Sequence, residues 1–193
     1  MFRTVPLLVV LFCVSVIDRV CAVPVLDQVS PAGGVTFYKA DTIEWQQGVS
    51  AGVTGRLSQI EMSFYTTEEV QLTLYHGLPW GTGVPDYFLS FHPTAVDAPT
   101  FVDVSAADFM VTAGSAFTIG LRGFNPNTEL FLGTDDNGYA GGQLYLNQEI
   151  YHSGEYDMAF NTYVDPVPEP TQGIMLGTCV AIPALTLRRR RER

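Results

Sequence analysis

Apolar and polar side chains alternate along most of the chain between residues 23 and 165. The clearest runs are residues 59–64, 70–75 and 117–122, in which every second side chain is apolar. A period of two predicts β-strands with one buried and one wetted face. Shorter strands are predicted at residues 35–38, 42–45, 88–91, 101–104, 129–132, 143–146 and 158–164. No long stretch carries the 3.6-residue spacing of an amphipathic helix.

Segments rich in glycine, proline and asparagine separate the predicted strands. They lie at residues 31–34, 52–55, 77–81, 125–127, 136–138 and 141–142. Many short strands divided by such turns predict an all-β fold, an antiparallel two-sheet sandwich that is jelly-roll-like. The large side chains expected in its core are Trp45, Phe64, Phe91, Phe117 and Phe160. One helical turn is expected over residues 105–110, with Ser105 as its N-cap and Asp108 in its first turn.

The first 22 residues have the pattern of a secretory signal peptide. Arg3 precedes an apolar run at residues 7–14, and Val20-Cys21-Ala22 supplies the small residues of a cleavage site. This order predicts an N-terminal signal helix, export, and a mature chain that starts at Val23. Signal peptidase is the processing partner that the pattern indicates.

The C-terminal residues 166–193 combine three elements in a fixed order. The tripeptide Pro168-Glu169-Pro170 is followed by residues 171–187, which carry no charge, and then by a basic cluster. The basic residues are Arg188, Arg189, Arg190, Arg191 and Arg193. At 1.5 Å per residue the uncharged segment is about 26 Å long as a helix, near the lower limit for crossing a bilayer. The arginines would stay on the cytoplasmic side, so the body would lie on the opposite side of the membrane.

This arrangement resembles the PEP-CTERM sorting signal, in which a Pro-Glu-Pro motif precedes a transmembrane helix and a basic end. The resemblance covers residues 167–193. It implies processing by an exosortase-like membrane protease. It also implies passage through the inner membrane to the cell surface or the extracellular matrix. The chain would then divide into a signal peptide at 1–22, a β-sandwich domain at 23–165 and a sorting tail at 166–193.

The body is also similar to β-sandwich domains that accompany this sorting tail. The segments that carry this similarity are residues 46–49, 55–60, 113–119, 139–142 and 157–164. They support the fold and carry no catalytic residue across.

Charge and cysteine usage exclude several functional classes for the body. The net charge of the whole chain is −10, but most arginines lie in the two ends. The body retains Lys39, Arg56 and Arg122 against 17 of the 20 acidic residues, a net charge of −14. Such a surface repels a phosphate backbone, so no nucleic-acid partner is expected. The body contains no cysteine, which excludes a disulfide scaffold and a thiolate zinc site there.

Catalytic chemistry has little support in the sequence. His76, His92 and His152 are scattered and match no local metal or catalytic motif. The carboxylates set among apolar or aromatic neighbours are Glu44, Glu61, Glu149 and Asp157. A glycan-active hydrolase would need two of them at glycosidase spacing, which the sequence does not establish. We therefore expect a protein that is not an enzyme. A glycan-active hydrolase remains the less favoured alternative.

Residues 134–138 collect hard oxygen ligands of the kind that calcium prefers. Asp135, Asp136 and Asn137 are the weak calcium candidates, although their spacing is not that of an EF-hand loop. Asn137-Gly138 between two predicted strands is first of all typical of a hairpin turn. No cofactor is expected beyond this possible calcium ion.

Aromatic side chains beside turns offer the main binding hypothesis. Those expected to be exposed are Trp80, Tyr87, Tyr139, Tyr145 and Tyr151. Trp80 and Tyr139 are the preferred ligand-binding candidates, because sugars stack on exposed rings; Trp80 folded onto Leu78 and Pro79 is the competing interpretation. The expected function is a structural or adhesive protein in extracellular polysaccharide. The alternative is a carbohydrate-binding module.

Overall fold

Fourteen strands form two antiparallel sheets in the part of the chain that the structure describes. The computed structural model describes residues 23–38, 44–78, 83–125, 129–135, 138–146 and 149–167. The eight-stranded sheet consists of β1 (Val25–Ser30), β2 (Val35–Tyr38), β4 (Gly55–Phe64), β7 (Ala98–Asp103), β8 (Met110–Val111), β10 (Glu129–Thr134), β13 (Asp157–Met158) and β14 (Phe160–Pro166). The six-stranded sheet consists of β3 (Trp45–Ser50), β5 (Val70–His76), β6 (Tyr87–Phe91), β9 (Ala116–Gly123), β11 (Leu144–Leu146) and β12 (Glu149–Ile150).

Strand β4 organises the eight-stranded sheet, because it is the longest strand and pairs along both edges. Strand β14 follows one edge of β4, while β7 and β8 follow the other. Strand β1 pairs with the far edge of β14. Strand β10 pairs with β4 at one position, where Phe131 lies opposite Phe64, and it also pairs with β2 and β13. The first and last strands of the domain are therefore hydrogen-bonded neighbours.

The six-stranded sheet has the order β12-β11-β3-β9-β5-β6, with every pair antiparallel. Strand β9 lies at its centre, between β3 and β5. Its side chains Phe117, Ile119 and Leu121 point toward the other sheet and are buried. The alternation in the sequence thus predicted the buried face of this strand correctly.

Aromatic rings from both sheets meet in one core. Trp45 of the six-stranded sheet lies edge-on to Phe131 of the eight-stranded sheet, with 5.9 Å between ring centroids. Phe64 and Phe91 make an equivalent contact across the two sheets at 5.5 Å. These contacts give the two antiparallel sheets a sandwich-like packing, in which burial of apolar surface provides the main stabilisation.

The structure confirms the all-β prediction and most of the strand positions. Trp45, Phe64, Phe117 and Phe160 are buried in the core as expected, and Phe91 is half-buried against it. The predicted signal helix and transmembrane helix fall outside the described residues. Within the described residues, no helix is long and apolar enough to cross a membrane.

The predicted helical turn is shorter than expected and is capped differently. A 3₁₀ turn covers Ser105–Ala107, and Val104, not Ser105, occupies its N-cap position. Ser105 instead donates its backbone N–H to the Asp103 carboxylate at 2.9 Å, and hydrogen bonds from Ser105 lower the pKa of Asp103. Asp108 does not lie in the first turn; it ends the turn in a left-handed conformation, with φ 48°. A helical turn does form here, but the predicted roles of Ser105 as N-cap and of Asp108 in the first turn were both wrong.

A buried polar network joins the two sheets through Asp157. Its carboxylate, which is fully buried, accepts hydrogen bonds from Gln47 Nε2 at 3.0 Å and from the Tyr139 backbone N–H at 3.2 Å. Gln47 also accepts the backbone N–H of Met158 at 2.8 Å. Burial raises the pKa of Asp157, and the two hydrogen bonds oppose that rise. A side chain of the six-stranded sheet thus satisfies polar groups of the other sheet.

Candidate functional site

An open cleft of about 350 Å³ is lined mainly by aromatic side chains. We call it the aromatic cleft and define it by Val35, Thr36, Phe37, Tyr38, Trp45, Leu146, Tyr151 and Tyr156. Strand β2 of one sheet and strands β3 and β11 of the other contribute to it, together with a 3₁₀ turn at Tyr151–Gly154. It therefore lies where the two sheets and a connecting turn come together.

Two buried rings form the floor of the aromatic cleft. Phe37 and Trp45 are 3% and 5% exposed, and their ring centroids are 5.1 Å apart in an edge-on contact. The Trp45 indole Nε1–H donates to the carbonyl oxygen of Tyr38 at 2.9 Å. This hydrogen bond orients the indole and links β3 to the end of β2.

Two tyrosines form a wall of the aromatic cleft. Tyr151 and Tyr156 are half-buried, with ring centroids 5.6 Å apart, and Tyr151 also lies edge-on to Trp45 at 4.9 Å. Between them the backbone runs through three left-handed residues: His152 with φ 44°, Ser153 with φ 59° and Gly154 with φ 85°. Left-handed backbone at non-glycine residues is strained by about 1–2 kcal/mol each, and such strain clusters at functional sites. Here it turns the chain so that both rings face the cleft.

Polar groups lie at the rim of the aromatic cleft. Tyr38 is 56% exposed, and its hydroxyl donates to Glu129 Oε1 at 2.9 Å. The Thr36 hydroxyl donates to the same oxygen at 3.3 Å. The hydrogen bond to Glu129 raises the pKa of Tyr38 above its ordinary value. The Glu129 carboxylate thus lies next to the lining residues Thr36 and Tyr38, and no lysine or arginine is among the described lining residues of the cleft.

Tyr139, one of the two preferred ligand candidates, is buried, and the expectation that it is exposed was wrong. Its ring is 4% exposed and lies edge-on to Phe160 at 5.1 Å. Its hydroxyl donates to Gln28 Oε1 at 3.1 Å and accepts the Ser50 N–H at 3.2 Å. Burial raises the pKa of Tyr139 to about 12. The ring therefore fills a gap between strands and presents no face to a sugar.

The other predicted aromatic positions divide between the core and the cleft. Tyr145 is also buried, contrary to expectation, while Tyr87 is half-buried against the core. Among the described members of this set, Tyr151 lines the aromatic cleft. Trp80 lies outside the described residues.

Several predicted site residues cannot be placed because they lie outside the described residues. These are Asp136, Asn137, Pro168, Glu169, Pro170, Arg188, Arg189, Arg190, Arg191 and Arg193. Asp135 is exposed at the end of β10. In the described part of the chain, no three histidine or acidic side chains come close enough to hold a metal ion.

The candidate glycosidase carboxylates are held apart. Glu44 lies on the outer side of the six-stranded sheet, where it accepts hydrogen bonds from Thr73 and, at 2.7 Å, from the Tyr75 hydroxyl. Glu61 lies on the outer side of the eight-stranded sheet, and Asp157 is buried between the sheets. Glu149 is exposed on β12. Glu44, Glu61 and Asp157 therefore do not converge on one cleft.

Sequence reasoning missed Tyr38 and Tyr156 as cleft residues and Glu129 as the hydrogen-bond partner of Tyr38. Tyr38 was included only as the end of a predicted strand, and Glu129 only as the start of another. A local signal did exist for one wall, because Tyr151 and Tyr156 flank a short polar segment that contains Gly154. Nothing local indicates that this segment faces β2, which lies more than a hundred residues earlier.

A scan against protein-family models finds no match to this chain, and a search of curated proteins finds no similar sequence. The chain is an all-β protein of two antiparallel sheets with an aromatic cleft, and its function has to be inferred from that geometry and from its sequence patterns.

Proposed function

We propose that this chain is an exported cell-surface or extracellular-matrix protein whose jelly-roll-like domain binds carbohydrate in the aromatic cleft. Its role would be adhesive or structural, in contact with extracellular polysaccharide. The secretory pattern at residues 1–22 and the sorting pattern at residues 166–193 support export. The aromatic cleft supports the choice of ligand.

The observation that carries the ligand class is the combination of ring faces and hydroxyl-binding groups in one cleft. The C–H faces of sugar rings stack on aromatic surface, and the exposed Tyr38 with half-buried Tyr151 and Tyr156 provides that surface. The Glu129 carboxylate is an acceptor for sugar hydroxyls beside those rings. A cleft of about 350 Å³ is within the usual range for a small-ligand site.

The sorting part of the proposal predicts a processed C-terminus. In protein isolated from its native host, we expect the chain to end near Pro168–Pro170, because an exosortase-like protease would remove the arginine-rich end. Mass spectrometry of the C-terminal peptide measures this directly. A peptide that still contains Arg193 would contradict sorting by cleavage and would identify the tail as a permanent anchor.

The ligand part of the proposal predicts that the Tyr38 ring contributes to affinity. We expect Tyr38→Ala to weaken binding of the full chain to a neutral glycan about 5–30-fold, or about 1–2 kcal/mol, since it removes an exposed stacking surface. The measurement is titration calorimetry against α- and β-glucans, mannan and galactan. Because the full chain carries the predicted transmembrane segment, it is kept in detergent. The detergent should be zwitterionic, since the sugar headgroups of glycoside detergents would compete with the glycan for the cleft.

Two further variants serve as controls for this measurement. Tyr38→Phe keeps the ring and removes only the hydroxyl, so it should retain most of the affinity. Phe88→Ala removes a ring that is 63% exposed on the six-stranded sheet, away from the cleft, and should change nothing. Equal weakening by Tyr38→Ala and Phe88→Ala, or no glycan binding at all, would leave a structural role without a ligand at this cleft.

A further inference from the structure

The outer side of the eight-stranded sheet carries an exposed ring, Phe101, beside half-buried polar side chains. We call it the outer patch and define it by Leu26, Val29, Glu61, Phe101, Asn161 and Tyr163. The strand register places these side chains next to one another: Glu61 pairs with Phe101 on one side and with Asn161 on the other. Leu26 and Val29 of β1 pair in turn with Tyr163 and Asn161 of β14. The outer patch thus crosses β1, β14, β4 and β7.

The centre of the outer patch is polar and ordered by hydrogen bonds. Glu61 Oε2 accepts the Asn161 amide at 2.8 Å and the Tyr163 hydroxyl at 2.8 Å. These two donors hold the carboxylate in a fixed position on the surface of the sheet. A carboxylate, an amide and a phenol within one network are the groups that recognise sugar hydroxyls.

Apolar surface surrounds this polar centre. Phe101 is 55% exposed, and its ring centroid lies 6.4 Å from that of Tyr163 at an interplanar angle of 48°. Leu26 and Val29 are also about half exposed. A groove of about 270 Å³ adjoins the patch, with Val29, Glu61 and Asn161 in its lining. Ring faces, directional polar groups and a groove therefore occur together on this face.

We propose that the outer patch is a second carbohydrate site, specific for a neutral polysaccharide chain, and that with the aromatic cleft it makes the domain a bivalent cross-linker. This inference rests on the proposed function, since the aromatic cleft supplies the other site. The two sites share no lining residue, because one uses β2, β3 and β11 and the other uses the outer side of β1, β14, β4 and β7. A protein with two such sites would bridge separate chains, which is what an adhesive matrix protein must do.

The charge of the outer patch disfavours two other occupants, a second copy of this chain and an anionic glycan. In a two-fold dimer the same patch faces itself, so the Glu61 carboxylates of the two copies would be brought into one interface, and the centres of dimer interfaces are depleted in charge. An anionic glycan would meet the same carboxylate on a body of net charge −14. A neutral glycan avoids both penalties and still uses Glu61 as a hydrogen-bond acceptor.

The test counts binding sites in the full chain by titration with an oligosaccharide of the tightest neutral glycan, in zwitterionic detergent. The wild type should bind two oligosaccharides, while Phe101→Ala and Tyr38→Ala should each keep one site at wild-type affinity and weaken the other about 5–30-fold. Phe88→Ala is the matched control, because it removes an equally exposed ring from the other sheet and should still bind two. Alginate and polygalacturonate, as anionic counterparts, should not bind at the outer patch.

Light scattering with the corresponding polymer tests cross-linking. Wild type should raise the scattered light, and each single-site variant should lose that rise although it still binds the oligosaccharide. Bridging that persists in Phe101→Ala would overturn the inference, since several chains per micelle would then be its cause. A single site that is weakened in Tyr38→Ala and unchanged in Phe101→Ala would overturn the outer patch and leave the proposed function intact. Absence of any neutral glycan binding would overturn both.

Discussion

Replacing Trp45 by alanine is expected to lower the free energy of unfolding by about 3–5 kcal/mol, the usual cost of truncating a buried aromatic side chain. Trp45, on the six-stranded sheet, touches a ring of the eight-stranded sheet and a ring of the 3₁₀ turn: Phe131 at 5.9 Å and Tyr151 at 4.9 Å between centroids. The substitution also removes the indole donor to the Tyr38 carbonyl. Because single domains are stable by only about 5–15 kcal/mol, this loss is a large part of the total.

Urea unfolding, followed by far-ultraviolet circular dichroism, measures this effect. Trp45→Phe should recover part of the loss, since it keeps a ring on the floor of the cleft but no N–H donor. Phe88→Ala is the control for removal of an exposed ring and should shift stability by no more than about 0.5 kcal/mol. A loss below about 1 kcal/mol for Trp45→Ala would contradict the role of this ring in joining the sheets.

Much of the fold could be predicted because strand alternation is a local signal. In β4 residues 59–64 alternate between half-buried and buried, as the sequence does. In β5 and β9 the apolar residues are buried as predicted, but Thr73, Thr118 and Gly120 between them are buried as well. Burial on one face of a sheet is set by the side-chain period of two, which needs no knowledge of the partner strand. Strand ends were less accurate: β7 begins at Ala98 rather than at residue 101, and β4 begins at Gly55.

The binding residues could not be predicted in the same way, because their environment is set by distant partners. Tyr139 lies beside a turn, which favours exposure, yet its hydroxyl is bound by Gln28 and Ser50, each far away in the chain. Tyr38 ends a short strand, and only the packing of the other sheet against it creates a cleft. The sequence shows which residues are aromatic, but pairing with distant strands determines which of them are exposed.

Replacing Asp157 by alanine is expected to lower the free energy of unfolding by about 2–6 kcal/mol. The substitution leaves two buried donors without an acceptor, at a cost of about 1–3 kcal/mol each. The donors are the Gln47 amide and the Tyr139 backbone N–H, and neither can reach water once the sheets are packed. Urea unfolding at neutral pH measures the loss. Asp135→Ala, at an exposed carboxylate, is the matched control and should stay within about 0.5 kcal/mol of wild type. Similar small losses in both variants would contradict the role of Asp157 in holding the sheets together.

The pH dependence of Asp157→Asn then separates the charge of this side chain from its hydrogen bonds. Burial raises the pKa of Asp157, so the folded chain keeps this proton to a higher pH than the unfolded chain does. Between the unfolded pKa, about 3.9, and the folded pKa, this carboxyl makes stability fall as pH rises. Asp86 and Asp103 have lowered pKa values and act with the opposite sign, but they are present in both proteins and cancel in the comparison. Lowering the pH through that range should therefore increase the stability of wild type relative to Asp157→Asn, and a constant difference would show that the buried carboxyl does not titrate with folding.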